Sequence, residues 1–248
     1  MTHETRARAK IGVLVPFTNT NLEADMMLMR CPDTTVHFQR IGGYDVDEIP
    51  GSDQMAGLGA LDISHDLRMI AGVRPDVVLY GCTSATLTHG PSFDAQLARD
   101  IKAASGAITF TAAGALVEAI RALGVAKVGF SSPYLGEINA QAVNFLAQNS
   151  ISTVQCADIG RALGNYGQGE LTPDEVYDLA CRADHPEAEA IVLSCTDMRA
   201  VEAVEQIEDR LDKPVVTSNQ AMMFALVRAL DLPRHPGLPG RLFDLIHR

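Results

Sequence analysis

The chain has 248 residues, 47% of them apolar, and a formal net charge of −11. That length and apolar share suit one large cored domain or two small ones and exclude a disordered chain. The negative charge argues against a protein that coats nucleic acid, and no apolar run reaches the roughly 18 residues of a membrane span.

The first ten residues, MTHETRARAK, are basic but lead straight into IGVLVP, without the long apolar region of a signal peptide, so a cytoplasmic protein is expected. IGVLVP (11–16) reads as a buried strand and VHFQRI (36–41) as a second, weaker one. The spacing of Ile63, Leu67, Ile70 and Ala71 predicts a helix over 53–73, ended by Gly72 and Pro75. DVVLYG (76–81) is apolar throughout, as buried parallel strands are. A helix over 91–104, opened by Pro91, a strand at 107–111 and a helix over 112–123 complete the first half.

The second half follows the same order. A strand at 127–132 precedes a helix with Ile138, Ala142, Phe145 and Leu146 on one face, and a strand spans 152–158. Thr172-Pro-Asp-Glu175 is a capping box with proline at its first helical position. A strand at 190–194, a helix over 197–211, a strand at 214–218 and a helix over 219–230 follow, then a loop-like tail (232–240) and a short last helix.

The halves also match in sequence. AKIGVLVPF (9–17) aligns with AKVGFSSPY (126–134), VVLYGCT with AIVLSCT, and AAGALVEAIRALGV with NQAMMFALVRALDL. Three matches in one order at a nearly constant offset indicate a duplicated unit. The expected fold is α/β, with two lobes related by a pseudo-twofold, each a parallel sheet flanked by helices. Residues 1–110 with 217–248 are assigned to the first lobe and 111–216 to the second, with a helix exchanged between them.

Parallel sheets bind ligands beyond the carboxyl ends of their strands. Cys82 and Cys195 stand at two such ends, so a duplicated lobe brings two thiols to opposite walls of one cleft. Two facing thiols suit proton transfer at carbon, and one thiolate suits addition to an activated double bond. A helix directly after Cys195 would favour its thiolate. Thr83, Ser84 and Thr196 supply hydroxyl and backbone donors for carboxylate or enolate oxygens; Asn19 offers a substrate donor or a helix cap, and Tyr134 a phenol. Asn165 lies in GRALGNYGQG, a glycine-rich loop without a phosphate-binding fingerprint, read as a lid. His89 is assigned to a helix entry. Cys31, Cys156 and Cys181 are read as small buried hydrophobes. Five cysteines without a CxxC pair give neither a disulfide framework nor a metal site.

IGVLVPFTNTNLE, LYGCTSAT, SSPY, LSCT and KPVVTSNQA together resemble the aspartate/glutamate racemase superfamily, in the branch of maleate cis-trans isomerases, arylmalonate decarboxylases and ectoine-utilisation proteins. The resemblance spans nearly the whole chain. It implies an active site between the lobes, no metal or organic cofactor, a small carboxylate substrate and a homo-oligomer. It matches Cys82 and Cys195 to the paired catalytic cysteines of the isomerases and racemases. Asn19, Tyr134 and Asn165 match the carboxylate contacts of the isomerases; Thr83, Ser84 and Tyr134 match donors of the decarboxylases. Thr-Ser-Ala-Thr after Cys82 is more like the decarboxylases, yet those keep only the second cysteine. Maleate-type isomerisation is the leading expectation, with racemisation, decarboxylation and non-catalytic acid sensing as alternatives.

Overall fold

A computed structural model of the chain describes residues 9–43 and 51–246. The basic N-terminal segment therefore lies outside the described residues up to position 8. The first half runs β1 (Ala9–Pro16), α1 (Leu22–Leu28), β2 (Thr34–Ile41), α2 (Ser52–Gly59), α3 (Ser64–Ala71), β3 (Val77–Tyr80), α4 (Thr83–Leu87), α5 (Pro91–Ser105), β4 (Ile108–Thr111) and α6 (Ala112–Ala122). The second runs β5 (Lys127–Ser131), α7 (Gly136–Gln148), β6 (Ser152–Ala157), α8 (Gly167–Glu170), α9 (Pro173–Arg182), β7 (Ala190–Leu193), a 3-10 turn (Val201–Ala203), α10 (Val204–Leu211), β8 (Val215–Thr217) and α11 (Ser218–Ala229). A second 3-10 segment, Arg241–Leu245, stands where the last short helix is expected.

Both sheets are parallel and four-stranded, in the orders β2-β1-β3-β4 and β6-β5-β7-β8. The identical topology is the structural form of the sequence repeat. The shared glycine of AKIG and AKVG has a packing cause. A Cβ on Gly12 would lie 2.8 Å from Ile70 Cγ1 of α3, and one on Gly129 would lie 2.1 Å from the carbonyl oxygen of Ala183, just after α9. Each glycine lets the chain behind the sheet approach the strand closely.

Strand alternation sorts the core into layers. Val13, Val15, Val77 and Leu79 face inward and join Val128, Phe130, Val192 and Val216 of the other sheet in one apolar cluster. Leu14, Val78 and Tyr80 face outward under α3, α4 and α5. Between the sheets lie α6 and α11; α11 is buried along Ala221–Val227, and α6 along Ala112–Ile120 except at half-buried Gly114 and exposed Glu118. Each of these helices contacts the last strand of its own sheet and that of the opposite sheet. Both begin at a strand-ending threonine. Thr111 Oγ1 accepts the Gly114 N–H and Thr217 Oγ1 the Gln220 N–H, each at 3.0 Å. The predicted box at Thr172 and Glu175 forms and opens α9.

Two predicted helices are corrected. The span 53–73 is two helices, because Asp62 Oδ1 takes the Ser64 N–H at 2.9 Å and starts a new one. The span 197–211 becomes helical only at Val201, because the backbone N–H groups of Thr20 and Asn21 bind the Asp197 carboxylate and Asn219 Nδ2 binds the Thr196 carbonyl, holding the segment after Cys195 in an irregular turn. Two short helices, α4 and α8, go unpredicted, since five and four residues are too few to show a period, while α1 is expected only through the cap at Asn19.

Candidate active site

Both cysteines lie two residues beyond the carboxyl end of a central strand, Cys82 after β3 and Cys195 after β7. The preceding residue extends the ladder in each lobe. Gly81 N–H donates to the Leu14 carbonyl at 2.8 Å, and Ser194 N–H to the Ser131 carbonyl at 2.9 Å. Only glycine fits at position 81, where a Cβ would lie 2.2 Å from Leu22 Cδ2.

One pocket holds every residue singled out from the sequence: Asn19, Cys82, Thr83, Ser84, Tyr134, Asn165, Cys195 and Thr196. Its cavity volume is about 40 Å³, room for roughly three waters. The sulfurs are joined across it by two hydroxyls. Cys82 Sγ lies 3.7 Å from Ser84 Oγ, Ser84 Oγ 3.4 Å from the Tyr134 hydroxyl, and that hydroxyl 3.8 Å from Cys195 Sγ.

Asn19 is both cap and site residue. Its Oδ1 accepts the N–H groups of Asn21 and Leu22, which turns Nδ2 toward Thr196 Oγ1 at 3.0 Å. Thr196 Oγ1 in turn donates to the Gly81 carbonyl at 2.9 Å, beside Cys82. Thr83 Oγ1 donates to Ser218 Oγ at 2.8 Å. These hydroxyls and amides from both lobes are therefore fixed in direction before anything binds.

Burial pushes both thiols above the ordinary cysteine range, with different corrections. At Cys82 the N–H of Ala85 and the side chain and N–H of Ser84 lower it, and the charge of Asp197 raises it. Cys82 is the N-cap of α4, so a thiolate there meets the donors of a helix start. At Cys195 the Asp197 charge is the second raising cause, against one N–H and the Tyr134 hydroxyl. The sequence expectation is thus reversed: the helix start serves Cys82, and Cys195 stands beside a carboxylate.

Asp197 is the principal site residue that sequence reasoning missed. Its Oδ1 accepts the N–H groups of Thr20 at 2.7 Å and Asn21 at 3.0 Å, while burial pushes its carboxyl up to about 6. Met55 and Leu58 of α2 and Gln168 of α8 also line the pocket, beside Pro16 and Thr18. Met55 Sδ accepts the Ser84 hydroxyl at 3.0 Å. His89 has the structural role expected of it: it stacks on Phe93 and its Nε2 pairs with the Ala56 carbonyl, holding α2 over the pocket. Among the described residues no lysine or arginine lines the site. Of the three other cysteines read as buried, only Cys31 is; Cys181 is half-buried and Cys156 exposed, and none lines the pocket.

Two strand-end thiols facing each other between duplicated parallel-sheet lobes define a class of two-cysteine enzymes. The chain belongs to the arylmalonate decarboxylase family, whose pattern matches residues 54–243. Maleate isomerase of Geobacillus stearothermophilus is 25% identical over 251 aligned residues, covering 95% of this chain and 97% of that protein. Arylmalonate decarboxylase of Bordetella bronchiseptica is 31% identical over 166 residues, 65% of this chain and 68% of that one. The fold superimposes with a TM-score of 0.84 on Nocardia farcinica maleate cis-trans isomerase carrying a covalently bound succinylcysteine intermediate, at 25% identity, covering 96% and 98% of the two chains.

Proposed function

We propose that the protein interconverts the cis and trans forms of a small unsaturated diacid, with maleate as substrate, through a covalent cysteine adduct and without a cofactor. The observation that carries this is the pair of buried sulfurs, one at a helix start and one beside a carboxylate, linked by the Ser84 and Tyr134 hydroxyls. The asymmetry assigns the roles: Cys82 is the nucleophile and Cys195 the acid.

Both thiols are protonated before substrate binds. Cys82 sulfur bonds to one alkene carbon, and the Cys195 proton goes to the other. The Cys82 proton passes through the Ser84 and Tyr134 hydroxyls to Cys195, so each thiol has its charge restored. These contacts are long in the unliganded state and shorten around a substrate. The alkene is now a single bond and rotates. Reversal of the same steps from the rotated adduct releases fumarate, with no net gain or loss of protons. Asn19, Thr196 and Asn165 hold one carboxylate, and the Thr83–Ser84 turn holds the other.

Incubation with maleate in heavy water, followed by proton NMR, tests the reading. Fumarate supports it. Arylacetate from phenylmalonate, or deuterium at Cα of aspartate or glutamate, with maleate untouched, refutes it in favour of decarboxylation or racemisation. Binding of maleate without turnover refutes it in favour of a sensor. The lobe boundaries at 110/111 and 216/217, a cytoplasmic location and a homo-oligomer belong to the same reading. Among the described residues no helix is long and apolar enough to cross a membrane, and light scattering on the purified chain tests the oligomer.

A further inference from the structure

Behind the pocket, a line of contacts runs from a carboxylate in the first half of the chain to the sulfur in the second. Asp25, on α1, is 4% exposed, and its Oδ2 accepts a 2.7 Å hydrogen bond from Asn219 Nδ2 at the start of α11. The same nitrogen donates to the Thr196 carbonyl at 3.0 Å. That carbonyl and the Asp197 N–H belong to one planar peptide group. The Asp197 N–H donates to Cys195 Sγ at 3.3 Å. Carboxylate, amide, peptide and sulfur thus form one continuous sequence of hydrogen bonds, in which the carboxylate anchors the amide, the amide anchors the peptide carbonyl, and the polarised peptide presents its N–H to the sulfur.

We propose that Asp25 and Asn219 are positioning residues that hold the Thr196–Asp197 peptide with its N–H on Cys195, and so set how readily that thiol gives and takes a proton. The inference rests on the acid role assigned to Cys195 above. Neither residue lines the pocket. An ionised carboxylate at this depth is costly, and an apolar pair would pack there at less expense. Asn219 Oδ1 also has no hydrogen-bond partner, so the side chain is held for its two donors. Burial pushes the Asp25 carboxyl up to about 7, opposed by the Asn219 hydrogen bond; Glu202 and Asp197 raise it further and Arg199 lowers it. The carboxylate is the stronger acceptor, so the line is tightest above neutral pH and slackens as Asp25 takes a proton.

The test is site-resolved labelling of the two pocket cysteines by iodoacetamide, read by peptide mass across pH 5.5–9, beside kcat and KM on maleate. Loss of a hydrogen bond to the forming thiolate predicts that Asn219→Ala lowers Cys195 labelling and kcat roughly tenfold, with Cys82 labelling and KM within about twofold. Asp25→Ala should behave alike, and Asp25→Asn, which keeps an acceptor oxygen in place, should recover most of the loss. In the wild type the ratio of Cys195 to Cys82 labelling should fall below about pH 7, and in Asp25→Asn it should not. Folded Asn219→Ala and Asp25→Ala proteins with wild-type Cys195 labelling would overturn the proposal, as would equal losses at both cysteines, which mean general loosening. If the alanine variants do not fold, Asp25→Asn decides alone: a labelling ratio that falls below pH 7 as it does in the wild type overturns it. Labelling needs no substrate. A wild type that labels as expected but forms no fumarate therefore counts against the assigned reaction and not against this line of contacts.

Discussion

Replacing the two pocket cysteines by serine one at a time should give different losses, because their surroundings differ. Serine is smaller than cysteine and both sites offer polar neighbours, so each variant should fold with near-normal circular dichroism. At Cys82 the lost sulfur is the atom that bonds to carbon. A serine hydroxyl is far less acidic, and the Ser84 and Ala85 donors that favour a thiolate do not close that gap. The loss in kcat should be at least about 10⁴-fold, or roughly 5.5 kcal/mol of barrier. At Cys195 the lost group moves a proton, a contribution of about 10²- to 10⁴-fold. Addition and its reversal both use that proton, so Cys195→Ser should form and release the Cys82 adduct slowly, and the adduct should build up on long incubation with maleate. Proton NMR of fumarate gives the rates, and intact and peptide mass spectrometry locates the adduct. A Cys82→Ser protein within tenfold of wild type, or an adduct on residue 195 of the wild type, would refute the assignment.

Tyr134→Phe removes the hydroxyl between Ser84 and Cys195 and should lower kcat about 10²-fold with KM nearly unchanged; an unaltered kcat would remove the phenol from the proton path. Asp25 gives a stability prediction with a definite sign. Its folded pKa of about 7 lies above the ordinary 3.8, so the folded state holds the extra proton, and stability falls as pH rises between those values. The whole fall is on the order of 4 kcal/mol, of which about 2.7 kcal/mol lies between pH 5 and pH 8; denaturant unfolding at those two pH values should show that share in the wild type and not in Asp25→Asn. Gly129→Ala sets a Cβ 2.1 Å from a backbone carbonyl oxygen, whereas Gly12→Ala meets the side chain of Ile70 at 2.8 Å. Thermal unfolding should show a cost of about 3 kcal/mol for the former and about 1 for the latter, since a side chain yields and backbone does not; equal costs would contradict the packing argument.

The duplicated lobes were legible because a repeat survives as matched strings, and the buried strands because parallel sheets covered on both faces read as unbroken apolar runs. Val77–Tyr80 and Ala190–Leu193 are such runs, and the cysteines follow from the rule that ligands sit beyond strand ends. The threonines that start α6 and α11, and the capping box at Thr172, are local chemistry that the sequence carries in full. All these are properties of neighbours along the chain.

What the fold alone decided is set by residues far apart in it. The 197–211 segment has a helical pattern, yet its first turn is irregular because Asn19, Thr20, Asn21 and Asn219 take its polar groups. Those bonds span 23 to 177 positions, which no periodicity encodes. Asp197 looks like any acidic residue after Cys-Thr until the lobes bury it against the start of α1. Met55 and Leu58 look like ordinary core positions until α2 carries them over Cys82. The sequence by itself determined which groups are present and that they come in pairs. The tertiary structure determined their inequality, because burial, a helix start and a neighbouring carboxylate act through space and fall differently on Cys82 and Cys195.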